Sequence, residues 1–379
     1  MDSSAVVTPP YVAGPLRLYP FRGLMLSPSR IGDPSSARAF ARPYRDVAAR
    51  LTSWERRGLV HHDTEPAVYL HEYTVAGIVV RGLVGALDIS RRATSRADRA
   101  VYPHEGVHPA QAEELAERMA EMQMNPAPIL LVHRGPAAVR TLLARVAAAP
   151  PTHEFTDRAE QEHRVWAITD PDDLGALEAA LAGSRALIAD GHHRYAAYLR
   201  LQRDDPGGSH DLGLAMLVDQ DETPLFLGAI HRVLVGTGLD DLRDACDRIG
   251  ATFHRTTETA AVGALAPGCL AATDGTTWAT LALPVPHGRA AVEVLHEQLV
   301  PALTDEPARI GYHHAVEEAM AHLSRSKGTA LLMPAPDFDL VLRIVAAGRL
   351  LPEKATSFQP KPSVGVLIRS LLDGAPDRH

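Results

Sequence analysis

"ALIADGHHRYAAYLRLQ", residues 186–202, passes from an apolar run through an Asp-Gly corner into two histidines and an arginine. The apolar run predicts a buried strand and Asp190-Gly191 a turn. Tyr195, Tyr198 and Leu199 then mark one side of a helix that begins near His192. A helix that starts directly after a strand turns unpaired N–H groups and the positive end of its dipole toward the connecting loop. Gly191 carries no side chain, so a ligand is able to approach the backbone there. Such a corner suits phosphate, and Arg194 adds a planar fork matched to phosphate oxygens. Successive helical residues point about 100° apart, so His192 and His193 do not both face one ligand in the same way. Asp190 is open to three roles: orienting a histidine, holding Mg²⁺, or capping the helix. Adjacent histidines lack the i, i+4 spacing of a shared metal site. Against the phosphate socket stands the plainer expectation of a well-capped helix with a solvated start.

Outward from this corner the chain alternates between strand and helix patterns. Upstream, "AVYLHEYTV" (67–75) and "GIVVRGLVGALDI" (77–89) read as paired strands. Pro109 opens a helix with Leu115, Met119 and Met122 on one face. "PAPILLVH" (126–133) is a short strand and "AAVRTLLARVAAA" (137–149) a helix, and residues 163–202 alternate strand, helix, strand, helix. Residues 211–235 predict two strands around a turn. Further on, helices are expected near 239–249, 290–302 and 313–324, and strands near 277–283 and 328–333. The first forty residues, rich in Pro, Ser and Gly, read as an extended lead-in. From Tyr44 a helix follows with Val47, Leu51 and Trp54 on its buried stripe. No internal repeat is visible. The expectation is an α+β fold, a mixed sheet with flanking helices. Residues 1–235 would form the phosphate-binding region with its N-terminal extension, and 236–379 a C-terminal α+β region that completes the site.

Composition narrows the class. The chain has 379 residues, 46% hydrophobic and 22% charged, with a formal net charge of −8, so a duplex nucleic acid partner is not expected. Its two cysteines, Cys246 and Cys269, form no zinc spacing and suit a reducing compartment. Neither a signal peptide nor a run of about 20 apolar residues is present, which predicts a cytoplasmic protein without a membrane partner. P-loop, G-x-G-x-x-G, G-x-S-x-G and H-E-x-x-H motifs are absent.

Several other groups could join a phosphate site. Glu105, after His104, is a candidate to take a proton from an attacking hydroxyl; the plainer outcome is a surface carboxylate. His231-Arg232 ends an apolar run and could meet a second phosphate or a substrate carboxylate, or simply form a solvated strand end. Lys354 and Lys361 flank a Pro-rich segment that would hold a lysine over an anion. His313-His314 reads as a surface pair, and His163 has no assigned role.

The sequence resembles the DUF1015 family over nearly its whole length. The resemblance is carried by "IADGHHRY" (188–195), with "PHE" (103–105), "HRVW" (163–166), "HR" (231–232), "VLHE" (294–297), "LPEKATSFQPKPSVG" (351–365) and "PYRDV" (43–47) in support. Its D-G-H-H-R core is similar to the phosphate-binding motif of the ParB/sulfiredoxin superfamily, which includes CTP-hydrolysing clamps, ATP-using sulfiredoxins and free-serine kinases. By that resemblance Asp190, His192, His193 and Arg194 fall where nucleotide phosphates bind. Three places depart from the common pattern: Val107 stands for a Thr, Ala355 for a Ser, and the helix start "HPAQAEELAERM" lacks the usual Lys and Asp-Arg.

Together with the phosphate-type corner, the resemblance implies a nucleotide-dependent phosphotransferase acting on a small hydroxyl metabolite, and it is the resemblance alone that puts free L-serine first among candidates. Glu105, Asp190, His192 and His193 would be catalytic. Gly191, Arg194, His104, His231, Arg232, Lys354 and Lys361 would bind phosphate or nucleotide. Asp190 would hold Mg²⁺, and ATP or ADP would be the nucleotide. A phosphoserine phosphatase and a non-catalytic nucleotide-controlled switch of ParB type are the alternatives, and homodimerisation is left open.

Overall fold

Strands Val68–Val75 and Ile78–Asp88 pair antiparallel through a tight turn at Ala76-Gly77, where both residues hold positive φ (49° and 79°). Such turns match the right-handed twist of their strands. This computed structural model describes residues 6–33 and 47–373, with the backbone alone for 47–51. Tyr44 and most of "PYRDV" lie outside the described residues.

The chain divides into two compact units. The first takes in 1–103, 107–225 and 360–379. Its hairpin belongs to a ten-stranded mixed sheet. Ala186–Asp190 lies inside that sheet, parallel to Arg99–Tyr102 on one side and antiparallel to Ile129–His133 on the other. Glu162–Ile168 and then His153–Thr156 complete one edge. The core joins sheet residues such as Leu70, Leu83, Leu131 and Ile188 to helical Met119, Leu142, Leu177, Tyr195 and Tyr198. A separate four-stranded sheet runs Val60–His62, Gly23–Leu26, Ile368–Ser370, Met124–Asn125. Arg369, almost fully buried, donates to Asn125 Oδ1 and the Leu212 carbonyl, each at 2.9 Å.

The second unit takes in 104–106 and 226–359. Six antiparallel strands form its sheet, with His231–Val235 between Gly328–Leu332 and Arg309–His313. Helix Leu239–Ile249 buries Leu242, Ala245 and Cys246, and a short pair, Phe226–Gly228 with Ser357–Gln359, stands apart from the sheet.

Mixed sheets with flanking helices bear out the α+β expectation. Four local expectations are corrected. Residues 12–26 supply three strands, with Leu16, Phe21 and Leu24 buried, so this part of the lead-in is structural. Residues 211–235 are no hairpin: Leu212–Asp219 pairs in the first unit and His231–Val235 in the second. The helix near 290–302 is one α-turn, Ala291–Val294, that widens to π geometry over Leu295–Leu299, with Val300 N–H bonded to the Leu295 carbonyl. Residues up to His313 form a strand, and the helix begins at Val316. The units also interleave in sequence, which a single cut near residue 236 does not describe. No helix among the described residues is long and apolar enough to cross a membrane.

Candidate functional site

Asp190 closes the strand Ala186–Asp190, and the helix His192–Asp204 follows after Gly191 alone. A bulge near Ala189 shifts the register against Ile129–His133, so Asp190 faces Leu130. Bulges re-aim side chains at strand ends in this way. Gly191 has φ +92°, and an added Cβ would lie 2.9 Å from Arg194 Nη2. Only glycine meets both conditions easily. It also brings no capping side chain to the helix. Tyr195 and Tyr198, both buried, fix the helix through their hydroxyls to the carbonyls of Pro10 (2.7 Å) and Ala127 (3.1 Å).

Charge at this corner is unequal. Arg194 donates to Asp190 Oδ2 at 2.7 Å and to the Pro128 carbonyl at 2.7 Å, while Lys361 Nζ lies 2.5 Å from Asp190 Oδ1. Two cations thus surround one carboxylate. With side-chain exposures of 22% for Arg194 and 41% for Lys361, neither side chain is enclosed. A surplus positive charge beside a helix N-terminus attracts an anion. It opposes a divalent cation, and Asp190 already uses both oxygens on cations. The expected Mg²⁺ ligand role of Asp190 therefore does not fit this geometry. Nor is the Arg194 fork wholly available, because two of its nitrogens hold protein oxygens.

The two histidines part company, as helical spacing requires. His192 is buried at 8% exposure. His193 Nε2 accepts the His108 N–H at 3.2 Å, and the two rings stack nearly parallel, 6.0 Å apart. A backbone N–H only donates, so that nitrogen carries no proton here. His193 thereby tethers the start of helix Pro109–Met122. A nucleophilic role through Nε2 would require that bond to break.

Lys361 is placed by residues the sequence did not single out. Gln161 Nε2 donates to the Lys361 carbonyl and its Oε1 accepts from Ser363 N–H, while the Tyr73 hydroxyl donates to the Pro360 carbonyl at 2.7 Å. Beneath them runs a buried chain, His71 Nε2 to His163 Nδ1 at 3.0 Å and His163 Nε2 to Asp157 Oδ2 at 3.2 Å. Burial holds both imidazoles below the usual histidine range. "HRVW" marked His163 by resemblance; nothing in the sequence linked it to Asp157 or to the segment carrying Lys361.

Glu105 belongs to the second unit, in the three-residue segment 104–106 whose flanking stretches belong to the first. Its Oε1 accepts the Ala355 N–H at 3.0 Å, and its side chain is only 14% exposed. Burial raises its carboxyl to about 7, opposed by the Ala355 bond and the charge of Lys354. Such a value suits a group that exchanges a proton near neutrality. Lys354 itself is exposed.

Three expected phosphate ligands turn out to be internal. His104 is fully buried, with Nε2 2.6 Å from the Thr356 hydroxyl. His231, 7% exposed, accepts the Met333 N–H at Nδ1, and burial together with Arg232 keeps its ring on the neutral side. Arg232 is 1% exposed and donates to the carbonyls of Ile230 and Lys354 and to His296 Nε2. Burial pushes its guanidinium down to about 10. It is a clamp on the strand entrance and on the loop carrying Lys354, not a solvated strand end. Arg232 and Ala355 also line a cavity of about 520 Å³ within the second unit, together with Arg289, Pro334 and Leu340. Of the departures from the family pattern, Val107 is buried and bridges to Val7, and Ala355 is buried while its N–H serves Glu105.

No curated protein matches the chain. Among solved structures it is similar to one titled "Free serine kinase in complex with AMP", at 17% identity over 70% of this chain and 88% of that one, with a TM-score of 0.38. A structure titled "SbnI with C-terminal truncation", from Staphylococcus aureus, is 15% identical over 72% of this chain and 85% of that one, with a TM-score of 0.42. A conserved hypothetical protein from Pyrococcus furiosus is 16% identical over 72% and 93%, with a TM-score of 0.38. The family model described as "Protein of unknown function (DUF1015)" matches residues 19–304, three quarters of the sequence and the whole of the D-G-H-H-R corner, and the chain belongs to that family.

Proposed function

We propose that this protein is a nucleotide-dependent phosphotransferase acting on a small hydroxyl metabolite, with free L-serine as the first acceptor to test. The observation that carries the reading is the corner at Asp190-Gly191, where Arg194 and Lys361 outweigh one carboxylate at a helix start without a capping side chain. Phosphoryl transfer depends on positioning and on offsetting charge, and this corner supplies both for a phosphate chain. Mg²⁺ would enter on the nucleotide's own oxygens rather than on Asp190.

Glu105 is the proposed base. In such a transfer the acceptor oxygen bonds to the terminal phosphorus, the bond from phosphorus to the leaving nucleotide breaks, and the hydroxyl proton passes to a general base, the role for which Glu105 is the candidate within the second unit. Its carboxyl, raised to about 7, is ionised in part at neutral pH and has the proton affinity to accept. Exposed Lys354 is the proposed partner for an anionic group of the substrate.

A second reading, a non-catalytic nucleotide switch, is favoured by the internal bonds of Arg194 and His193, which leave the corner suited to holding phosphate more than to reacting with it. One experiment separates the readings. The chain is incubated with L-serine, Mg²⁺ and either ATP or ADP, and phosphoserine is followed by phosphorus NMR. Phosphoserine that disappears in Glu105→Gln supports transfer. Saturable nucleotide binding without product supports the switch. Phosphate release from phosphoserine without nucleotide would replace both with a phosphatase.

A further inference from the structure

We propose a divalent transition-metal site, of zinc type, at His61, Asp63 and His153 in the first unit. Three imidazole or carboxylate atoms there lie within 4.8 Å of one another. Asp63 Oδ1 is the common point, 3.1 Å from His61 Nε2 and 3.6 Å from His153 Nε2. Metal–ligand bonds of about 2.0–2.1 Å in tetrahedral geometry place neighbouring ligand atoms about 3.3–3.4 Å apart. The two separations to Asp63 bracket that value and the two imidazoles lie within 4.8 Å of each other, so rotations of the side chains would bring all three onto one ion.

Two features distinguish this trio from a chance surface cluster. His153 Nε2 is shielded from solvent and makes no hydrogen bond, which is an unfavourable state for a polar nitrogen unless it receives a ligand. The second oxygen of Asp63 accepts the hydroxyl of fully buried Tyr69 at 2.7 Å, and that same hydroxyl accepts the Gly23 N–H at 2.8 Å. Outer hydrogen bonds of this kind orient a ligating carboxylate and leave one oxygen for the metal. Gly23 is required by the arrangement, since a Cβ there would come within 2.9 Å of both Asp63 Oδ2 and the Tyr69 ring. His62, next in the strand, turns the other way to Glu55 at 2.9 Å, as strand alternation requires.

The site would join two strand edges of the first unit. His61 lies on Val60–His62, the edge of the four-stranded sheet, and His153 begins His153–Thr156, the edge of the ten-stranded sheet. Two neutral imidazoles and one carboxylate suit zinc more than Mg²⁺ or Ca²⁺, which take oxygen ligands. Three protein ligands leave a fourth position for water. The inference is independent of the phosphotransferase reading.

The test uses the full chain without a histidine tag, stripped by chelator and then titrated with Zn²⁺, with Co²⁺ as a visible-absorption probe. The expected result is one tightly held equivalent, a tetrahedral Co²⁺ spectrum and a rise in melting temperature with metal. His61→Ala changes an exposed side chain and keeps the fold. It should weaken binding by at least the roughly 10–100-fold that loss of an outer-shell partner costs, and Asp63→Asn should abolish the Co²⁺ spectrum. His322→Ala, in a separate histidine pair with His313 (2.8 Å) in the second unit, should change nothing. Absence of saturable binding at micromolar metal, or binding that survives His61→Ala and Asp63→Asn, overturns the site. So does equal loss in His322→Ala.

Discussion

Asp190 and Glu105 are both carboxylates in the family motifs, yet their surroundings are opposite. Asp190 is half-open and held between Arg194 and Lys361. Glu105 is enclosed, receives one backbone N–H, and is raised to about 7. A carboxylate between two cations is a poor proton acceptor and a good scaffold for positive charge. One that burial has made reluctant to ionise is a proton carrier. The contrast separates a carboxylate that gathers positive charge from one suited to exchanging a proton.

The strongest challenge to that division is Glu105→Gln. The amide keeps an oxygen for the Ala355 N–H but takes up no proton, so turnover should fall about 10²–10⁴-fold while nucleotide affinity stays unchanged. Stability should move the other way. In the folded chain this carboxyl binds its proton up to about 7, and in the unfolded chain only to the ordinary value of 4.5. Stability from this group therefore falls as pH rises between those values and is level above the upper one. Glu105→Gln should remove that slope and stabilise the protein at pH 8 by on the order of 3 kcal/mol, at 1.36 kcal/mol per unit. Urea midpoints across pH 4.5–8 measure it; an unchanged slope would take Glu105 out of the proton-carrier role. Wild-type kcat/KM should rise through about pH 7 and level off.

Arg232→Ala comes next. Burial makes this cation costly, but its loss leaves the Ile230 and Lys354 carbonyls without their donor and opens a cavity. We expect a loss of about 3 kcal/mol, read as a lower urea midpoint with an unchanged m-value. Arg232→Lys should recover little, because one ammonium does not span three partners. Wild-type stability in Arg232→Ala together with weakened substrate binding would instead restore the direct anion contact expected from its sequence.

The two regions were also unequally legible. The first could be read locally: strand, Asp-Gly corner, helix and the buried face of Tyr195, Tyr198 and Leu199 all follow from residues within seventeen positions. Lys361 could be named as a candidate for an anion but not paired with Asp190, 171 residues away. Side chains far apart in sequence carry no periodic signal. The same limit hid Gln161, Asp157 and His71, and left His153 unconnected to Asp63. In the second region, residue type misled. His104, His231 and Arg232 look like ligands, yet each has a backbone or hydroxyl partner in the interior. A polar residue's burial depends on the tertiary fold, which a motif does not encode.

Gly191→Ala tests the geometry of the first region. An alanine at φ +92°, with its methyl against the Arg194 guanidinium, carries backbone strain and displaces the cation. A stability loss of about 2 kcal/mol is expected, with nucleotide affinity reduced and the pH slope from Glu105 retained. Thermal melts with and without ATP separate the two effects. Loss of the pH slope as well would mean that the two carboxylates do not act apart.

Lys361→Ala should have the smallest effect. The pair with Asp190 is partly exposed, so its removal should cost the free protein about 0.2–1 kcal/mol at most. Binding should suffer more than folding, for two additive reasons. One positive charge disappears, and Asp190 Oδ1 is left facing the incoming phosphate. A weakening of about tenfold, or 1.4 kcal/mol, is the expected scale. Exposed charges are screened by salt, so the deficit should shrink between low and high ionic strength in a calorimetric titration with ATP. Lys361→Arg should restore most of the affinity. Equal affinity in Lys361→Ala and wild type at low salt would show that Arg194 and the helix start hold the anion without it. The surplus of cations at Asp190 would then serve folding alone.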